Sequence, residues 1–329
     1  MKVSQIIGVD VSKKTFDCAL LPRNAHARFS NNAPGYELFT RWLVDQGSNV
    51  NDAFVVMEHT GHYSYHFEQF LHAHALPFTK VPALAIKRSM GMIRGKSDKQ
   101  DSLRIAQYGM EKMAQLSACP TTDISLERLR TLHSTRTKLV ANRAALLTSI
   151  KEMQFMCSLE DDNVIISCQL EIANCISAQI LKLEEEMQLI VASHEGIKNN
   201  LSLLVSIKGV GKVMALALII KTANFTKFTD GRKFACYCGT APFENSSGSS
   251  IRGRTRVSHL ADKPLKTLLS LCALSAVKSD PELKEYYLRR QAEGKSKMST
   301  INVVRNKIIY RAFAVIKRQT PYQMLQKAA

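Results

Sequence analysis

The chain has 329 residues, 45% of them hydrophobic, which is enough for two domains with buried cores. Its formal net charge is +17, and residues 201–329 hold 23 Lys and Arg against 7 Asp and Glu, so residues 1–200 are nearly neutral. This asymmetry predicts a polyanionic partner, nucleic acid, for the C-terminal part. We find no leader-like N-terminus, no apolar run of about 18 residues and no basic amphipathic helix with an aromatic face, so we expect a cytoplasmic protein without a membrane partner. The eight cysteines lack metal-ligand spacing, which favours free thiols over disulfides.

Residues 3 to about 118 alternate between strand-like and helix-like patterns. The first strand, 6–11, is apolar except for Asp10, which strand alternation places on the face opposite to its immediate neighbours. A tight turn after this strand predicts that the second strand, 15–21, runs antiparallel to it. Further strands are predicted at 27–30, 53–57 and 78–82, and helices at 34–45, 62–75, 83–92 and 97–114.

Four carboxylates lie at the ends of predicted elements. Asp10 is near the end of the first strand, Glu58 ends a central strand, and Asp98 and Asp101 share one face at the start of a helix. Carboxylates that converge at one edge of a sheet repel one another unless cations neutralise them, and Mg²⁺ or Mn²⁺ takes such oxygen ligands. Two such ions form a clamp for phosphoryl displacement. We therefore predict that these four acids are catalytic metal ligands.

Taken singly, the same acids have structural interpretations. Asp98 and Asp101 could complement the dipole at a helix N-terminus, and Glu58 could be a surface acid at a strand end. Lysines interleaved with the acids favour a phosphate-bearing ligand instead. We predict nucleic-acid contacts for three of them: Lys13, Lys14 and Lys96.

Residues 121 to about 196 predict two long helices. In the first, a seam steps by three and four residues and includes two arginines. It comprises Leu129, Leu132, Arg136, Leu139, Arg143, Leu146, Ile150 and Met153. A second helix at 167–192 repeats the pattern. Seam arginines fix register or partner, so we favour an oligomerising coiled coil over a helical spacer packed within one chain.

A helix-turn-helix pattern surrounds Gly209 and Gly211. Such glycines let backbone amides approach a phosphate, and the following helix N-terminus adds its dipole. With Lys208 and Lys212 on either side, this pattern is typical of helix-hairpin-helix contacts to the DNA backbone. A purely structural left-handed turn is the alternative.

Residues 245–250 form a polar stretch with four serines that we expect to be a flexible loop. Arg252, Arg254 and Arg256 follow it. Arginines can hold an attacked phosphate bidentately while a serine attacks it. A disordered surface loop is the alternative. We also predict helices at 228–238, 263–277 and 301–318, with a flexible basic linker at 289–300.

Five ordered motifs resemble one family, the DEDD transposases of the IS110 family with the related Piv-type DNA invertases, which include bridge-RNA-guided recombinases. The motifs are Gly8–Lys14, Glu58–Tyr63, Lys96–Ser102, Ile207–Gly211 and Ser246–Gly253. The resemblance spans the whole chain. The chain departs from the family pattern at His59, Ser102, His259 and Ala261.

The resemblance implies an α/β RuvC-like, ribonuclease-H-type domain at 1–118, coiled-coil oligomerisation helices at 119–198 and a mainly α, basic transposase domain at 199–329. It implies that the four acids bind metal and that Ser247 is the nucleophile, with Ser246 the fallback. It also implies double-stranded DNA as substrate, a possible guide RNA, and a homo-oligomer, a dimer of dimers, in which acids and serine come from different subunits.

Three alternatives remain at this stage. A RuvC-like nuclease or Holliday-junction resolvase would use the same acids with water as nucleophile and would not need Ser247. An actin-like sugar or acetate kinase shares the opening strand motif but would need a second phosphate loop, which we do not find. A non-catalytic nucleic-acid scaffold would not depend on metal. The sequence does not separate a transposase from an invertase.

Overall fold

A computed structural model describes residues 4–48, 52–59, 61–91, 95, 97–120, 123–157, 163–247 and 251–323. At positions 157, 245, 247, 251, 252 and 254 the description is of the backbone. The chain divides into two compact units, Met1–Thr121 and Thr122–Ala329. Each unit has its own hydrophobic core.

The N-terminal unit contains a five-stranded mixed sheet. Its strands are β1 (Gln5–Val11), β2 (Thr15–Leu21), β3 (Ala25–Ser30), β4 (Ala53–Glu58) and β5 (Phe78–Val81), in the order β3-β2-β1-β4-β5. The first three strands are antiparallel, as the tight turn predicts, and the Ser12 amide donates to the Thr15 carbonyl across that turn. Strands β4 and β5 run parallel to β1. The carboxyl ends of β1 and β4 therefore meet at one edge.

Helices cover both faces of this sheet. They are α1 (Ala33–Asp45), α2 (Tyr65–Ala73), α3 (Ala83–Ser89) and α4 (Asp98–Lys112), the last followed by a 3₁₀ turn at Met113–Gln115. Ile7 and Val9 belong to the core that contains residues of α1 and α2, whereas Ile6 belongs to the core that contains Ile105 and Ala106 of α4. This confirms the alternation predicted for β1. Helix α4 consequently lies on the face that carries Asp10.

The C-terminal unit begins with a helical hairpin, α5 (Ile124–Cys157) and α6 (Val164–Ser193). The residues that α6 buries against α5 include positions spaced by seven: Ile166, Ala173, Ile180 and Met187. The seam arginines contact α6 of the same chain, with Arg136 Nε 2.6 Å from Glu184 Oε1 and Arg143 Nη1 3.2 Å from Ser177 Oγ. Both arginines thus hold the two helices in register within one chain.

Helix α6 is long and apolar enough to cross a membrane by length and composition, and only 17% of its most apolar window is buried. The expectation that the chain lacks an apolar stretch of this length is therefore wrong. The stretch escaped notice because uncharged Gln, Asn and Ser interrupt its apolar residues. The seven-residue spacing of the buried positions is typical of a helix packed against another helix.

The remainder of this unit is helical apart from one β-hairpin. Its elements are α7 (Glu195–Val205), α8 (Lys212–Thr222), α9 (Gly231–Tyr237), β6 (Pro242–Ser247), β7 (Ile251–Val257), α10 (Lys263–Ser279), α11 (Pro281–Ala292) and α12 (Lys297–Arg318). Most of the core residues that they bury form one cluster.

Two predictions about this part are wrong. The serine-rich stretch is not wholly a loop, because residues 242–247 and 251–257 pair as antiparallel strands. The proposed flexible linker at 289–300 is mostly helical. It begins inside α11, which starts with an Asp280 cap and Pro281 and buries Leu283, and it ends inside α12. Helix α11 was missed because it has few apolar residues, so its periodicity is weak.

Candidate active site

Asp10 and Glu58 are adjacent because β1 and β4 pair in parallel register. Val9 pairs with Met57, and each acid follows its partnered residue. Both carboxylates stand at the carboxyl-terminal edge of the sheet, and both are partly buried. The sheet alone therefore brings two of the four predicted acids together.

Gly8 allows α4 to bring in the other two. A Cβ at Gly8 would lie 2.2 Å from both the Ala106 amide nitrogen and the Ser102 carbonyl oxygen of α4. Only a residue without a side chain permits this approach. Asp98 and Asp101, in the first turn of α4, are thereby held on the same side of the sheet as Asp10. Ser102, where the family pattern has Ala, is buried and donates to the Lys99 carbonyl.

Replacing Gly8 with Ala should therefore damage both the fold and the site. The new methyl would meet backbone atoms that cannot move aside without shifting α4, so we expect a loss of about 1–3 kcal/mol in the free energy of unfolding. We also expect recombination to fall with the displaced acids. Urea unfolding measures the first effect. Gly91→Ala is the control, because a Cβ there meets nothing within 4 Å; equal stability of the two variants would contradict this role for Gly8.

The electrostatics of Asp10 reflect its burial and the charges of the other three acids. Burial, followed by the charges of Glu58, Asp101 and Asp98, raises the pKa of Asp10 to about 6. A smaller contribution comes from Asp17. The ionised form of Asp10 is therefore destabilised, and a cation bound beside it would stabilise that form.

Two of the four acids are held by arginines. Asp98 Oδ2 lies 2.6 Å from Arg28 Nη2, and Asp101 Oδ1 lies 2.7 Å from Arg104 Nη1. Within the part of the chain that the structure describes, no group of three or more His, Cys, Asp or Glu side chains is arranged to hold a metal ion. The arginines supply part of the positive charge that the acids require.

Asp17 is a member of this cluster that the sequence analysis missed. It pairs with Asp10 in the β1–β2 register, and its side chain is only 4% exposed. Its two oxygens accept from His26 Nε2 and Arg28 Nε, each at 2.9 Å. Arg28 therefore joins Asp17 to Asp98. The register set by the Ser12–Thr15 turn would have revealed Asp17, because counting outward from the turn pairs it with Asp10.

Two of the three lysines predicted to contact nucleic acid near the acids lie in the described part of the chain. Lys13 and Lys14 are exposed on the turn after β1. Lys96 lies outside the described residues.

In the β6–β7 hairpin the backbone register places Ser246 opposite Arg252 and Ser247 opposite Ile251, with an irregularity between Phe243 and Asn245. The side chain of Ser246 is exposed. Residues 252, 254 and 256 all belong to β7. The serine motif and the arginine motif are thus the two strands of one hairpin.

The predicted helix-hairpin-helix glycines have different environments. Gly209 has a φ of +86°, and a Cβ there would lie 2.6 Å from the Ala276 side chain of α10, so this position requires glycine for conformation and packing. Gly211 precedes α8, and a Cβ there meets nothing within 4 Å. Lys208 and Lys212 are exposed on either side. An open helix N-terminus flanked by lysines is compatible with a phosphate contact.

Two family models match this chain. Residues 7–153 match the DEDD model of the IS110 group, described as "Transposase", and residues 201–288 match "Transposase IS116/IS110/IS902 family". Together they cover more than half of the chain, and the first contains all four acids while the second contains the serine hairpin. The chain is an enzyme that acts on DNA as a recombinase of the transposase and invertase class. It belongs to the IS110 family of transposases.

Curated relatives agree with this assignment. The chain is 26% identical over 328 residues to the pilin gene-inverting protein of Moraxella bovis, covering 96% of this chain and 97% of the relative. It is 21% identical over 359 residues to the transposase for insertion sequence element IS1111A of Coxiella burnetii, covering 98% and 92%. An IS110 protein of Streptomyces coelicolor is 31% identical over 120 residues, 36% of this chain and 29% of that protein.

DEDD transposases generally use a divalent metal. The donor chemistry here suits such an ion, because all four candidate ligands are carboxylates and the neighbouring charges already raise the pKa of Asp10. The four acids are therefore of the chemical type that a hard divalent cation takes as ligands.

Proposed function

We propose that this protein cuts and rejoins DNA through a serine nucleophile, as a transposase or site-specific invertase. The observation that supports the proposal is the parallel pairing of β1 with β4, which brings Asp10 and Glu58 together, with Asp98 and Asp101 in the first turn of α4 on the same side of the sheet. A serine- and arginine-bearing hairpin in the same chain supplies a nucleophile that a simple nuclease would not need.

The N-terminal unit is, in this proposal, a RuvC-like, ribonuclease-H-type domain. Its strand order, with three antiparallel strands followed by two parallel ones and acids at the β1 and β4 ends, supports that assignment. Asp10, Glu58, Asp98 and Asp101 would hold Mg²⁺ or Mn²⁺. When bound, the ion would supply positive charge to the scissile phosphate.

Ser247 would attack the phosphorus of a DNA phosphodiester. Its hydroxyl loses a proton, an oxygen–phosphorus bond to the serine forms, and the bond to the leaving DNA hydroxyl breaks as that oxygen gains a proton. The phosphoserine linkage keeps the bond energy, so a new DNA hydroxyl can reverse the step and reseal the strand. Arg252, Arg254 and Arg256 would stabilise the charge that develops on the phosphate oxygens.

The contacts to the rest of the DNA would be mostly electrostatic. Lys13, Lys14 and Lys96 lie near the acids in sequence, and Lys208, Gly209, Gly211 and Lys212 would contact the backbone at the turn before α8. The concentration of positive charge in residues 201–329 supports this assignment.

We propose that the active form is a homo-oligomer, a dimer of dimers, with acids and serine from different subunits. Apolar side chains that the α5–α6 hairpin leaves exposed support self-association: Phe155 is 88% exposed, Met156 80% and Leu189 66%. A guide RNA would be a further partner, as the resemblance to bridge-RNA-guided recombinases implies. The pilin gene-inverting relatives, which align over nearly the whole chain, favour inversion as one outcome.

A plasmid test separates recombination from cleavage. The gene and its natural flanking DNA are placed on a plasmid, and junctions are sequenced after induction. We expect precisely rejoined junctions, inverted or excised, that require divalent metal in extracts. Nicked or linear products without joined junctions would instead indicate a RuvC-like nuclease or junction resolvase that uses water.

A further inference from the structure

Lys266 and Arg305 lie on two helices that pack against each other, α10 and α12, and neither side chain has a carboxylate partner among the described residues. Arg305 is only 5% exposed, its Nε has no hydrogen-bond partner, and its Nη1 donates to Asn302 Oδ1 at 3.2 Å. Lys266 is partly buried. Among the described residues, no carboxylate lies within 4.0 Å of either cation.

This arrangement is unfavourable as it stands. Buried cations are normally paired, because removal from water destabilises an isolated charge. Burial and then repulsion from Arg305 lower the pKa of Lys266, and burial lowers the pKa of Arg305. Arg311, on α12 like Arg305, is paired in the usual way, with Asp280 at 2.6 Å and Glu282 at 2.7 Å.

The nearest acid on the same element is already engaged. Asp262, the N-cap of α10, lies 2.7 Å from Lys221 and accepts from the Tyr237 hydroxyl at 3.1 Å. No acid among the described residues is therefore available to balance the charges of Lys266 and Arg305.

The two cations lie at the root of the serine hairpin. The Lys266 Nζ atom is 3.8 Å from the Cβ position of Gly239, three residues before β6. Thr240, the next residue, is tied to α12: its carbonyl accepts from Asn302 at 2.8 Å and from Asn306 at 3.0 Å. An anion held by Lys266 would thus sit beside the segment that leads into β6.

We propose that Lys266, with Arg305 behind it, binds a phosphodiester of the DNA backbone at the root of the serine hairpin. Lys266 is partly exposed and would contact the phosphate oxygen, while the buried guanidinium adds charge from within. The inference rests on the proposed function, since it anchors the strand whose neighbouring phosphate the hairpin would attack.

The first test compares Lys266→Gln with Lys263→Gln, which removes an exposed charge from the same helix. Binding of the full chain to a mixed-sequence duplex is measured over a series of KCl concentrations. We expect Lys266→Gln to weaken binding about three- to tenfold and to reduce the salt slope by about one, and Lys263→Gln to change both much less. Lys266→Arg should restore binding. Equal slopes for Lys266→Gln and Lys263→Gln would overturn the proposal.

The second test uses inorganic phosphate against chloride at matched ionic strength. Phosphate should raise the melting temperature of the wild type by about 1–3 °C and have no such effect on Lys266→Gln. If phosphate acts but the DNA salt slope is unchanged, the site takes free phosphate, and the DNA-backbone assignment is wrong. Neither measurement requires recombination, so these outcomes are independent of whether the plasmid test succeeds.

Discussion

Ser247→Ala should abolish recombination while leaving DNA binding intact. The serine oxygen is the proposed nucleophile, and alanine has no atom that can form the covalent link that preserves bond energy for rejoining, so we expect a fall of about a thousandfold or more. The plasmid junction assay measures this loss, and gel-shift binding to duplex DNA checks that the hairpin still folds. A denatured wild-type reaction should in addition contain protein covalently attached to DNA, and the variant reaction should not.

Ser246→Ala is the matched control. Ser246 stands opposite Arg252 in the hairpin, whereas Ser247 stands opposite Ile251, so the two positions are distinct in register. Loss of recombination in Ser246→Ala alone would move the nucleophile to Ser246. Full activity in both variants would contradict a serine nucleophile and favour water.

The elements around the four acids could be predicted because their local signals are strong. The strands carrying Asp10 and Glu58 are short apolar runs, and α4 has a Ser97 cap and acids in its first turn. Each acid lies at an element end, where parallel strands and a following helix meet. Local pattern and tertiary arrangement agree here, so the sequence alone was enough to predict these strands and this helix.

The contacts that neutralise the acids could not be predicted in the same way. Arg28 lies 70 residues from Asp98, and only the packing of α4 on the sheet brings them together. The packing of Gly209 against Ala276 likewise depends on α10, a helix far away in the chain, and the turn pattern alone did not predict it. The seam arginines likewise suggested a partner chain, but Arg136 and Arg143 contact α6 of the same chain.

The hairpin was missed for a different reason. A stretch of serines with Asn and Gly has weak strand preference, so residues 245–250 were predicted to be a loop. β-branched Ile251, Thr255 and Val257 fall in β7, and β7 pairs with β6. The β-strand propensity of a polar stretch does not reveal that it pairs with another strand.

Asp10→Asn should have opposite effects on metal-free stability and on activity. Because the folded-state pKa of Asp10 is raised from 3.8 to about 6, its ionisation opposes folding. That penalty is absent below pH 3.8, grows as pH rises and is complete above about pH 6. Asn carries no charge, so in EDTA at pH 8 the variant should be more stable, by about 1–2 kcal/mol after allowance for partial exposure.

The same substitution should abolish recombination and the stabilisation by Mg²⁺, since it removes a carboxylate from the proposed ligand set. Urea unfolding with EDTA at pH 4.5 and pH 8 measures the first effect, and the gain over wild type should be larger at pH 8. Asp45→Asn is the control, because this exposed acid ends α1 away from the cluster. A variant that is less stable than wild type in EDTA at pH 8, or one that still recombines DNA, would contradict the role of Asp10 as a repelled carboxylate awaiting a cation.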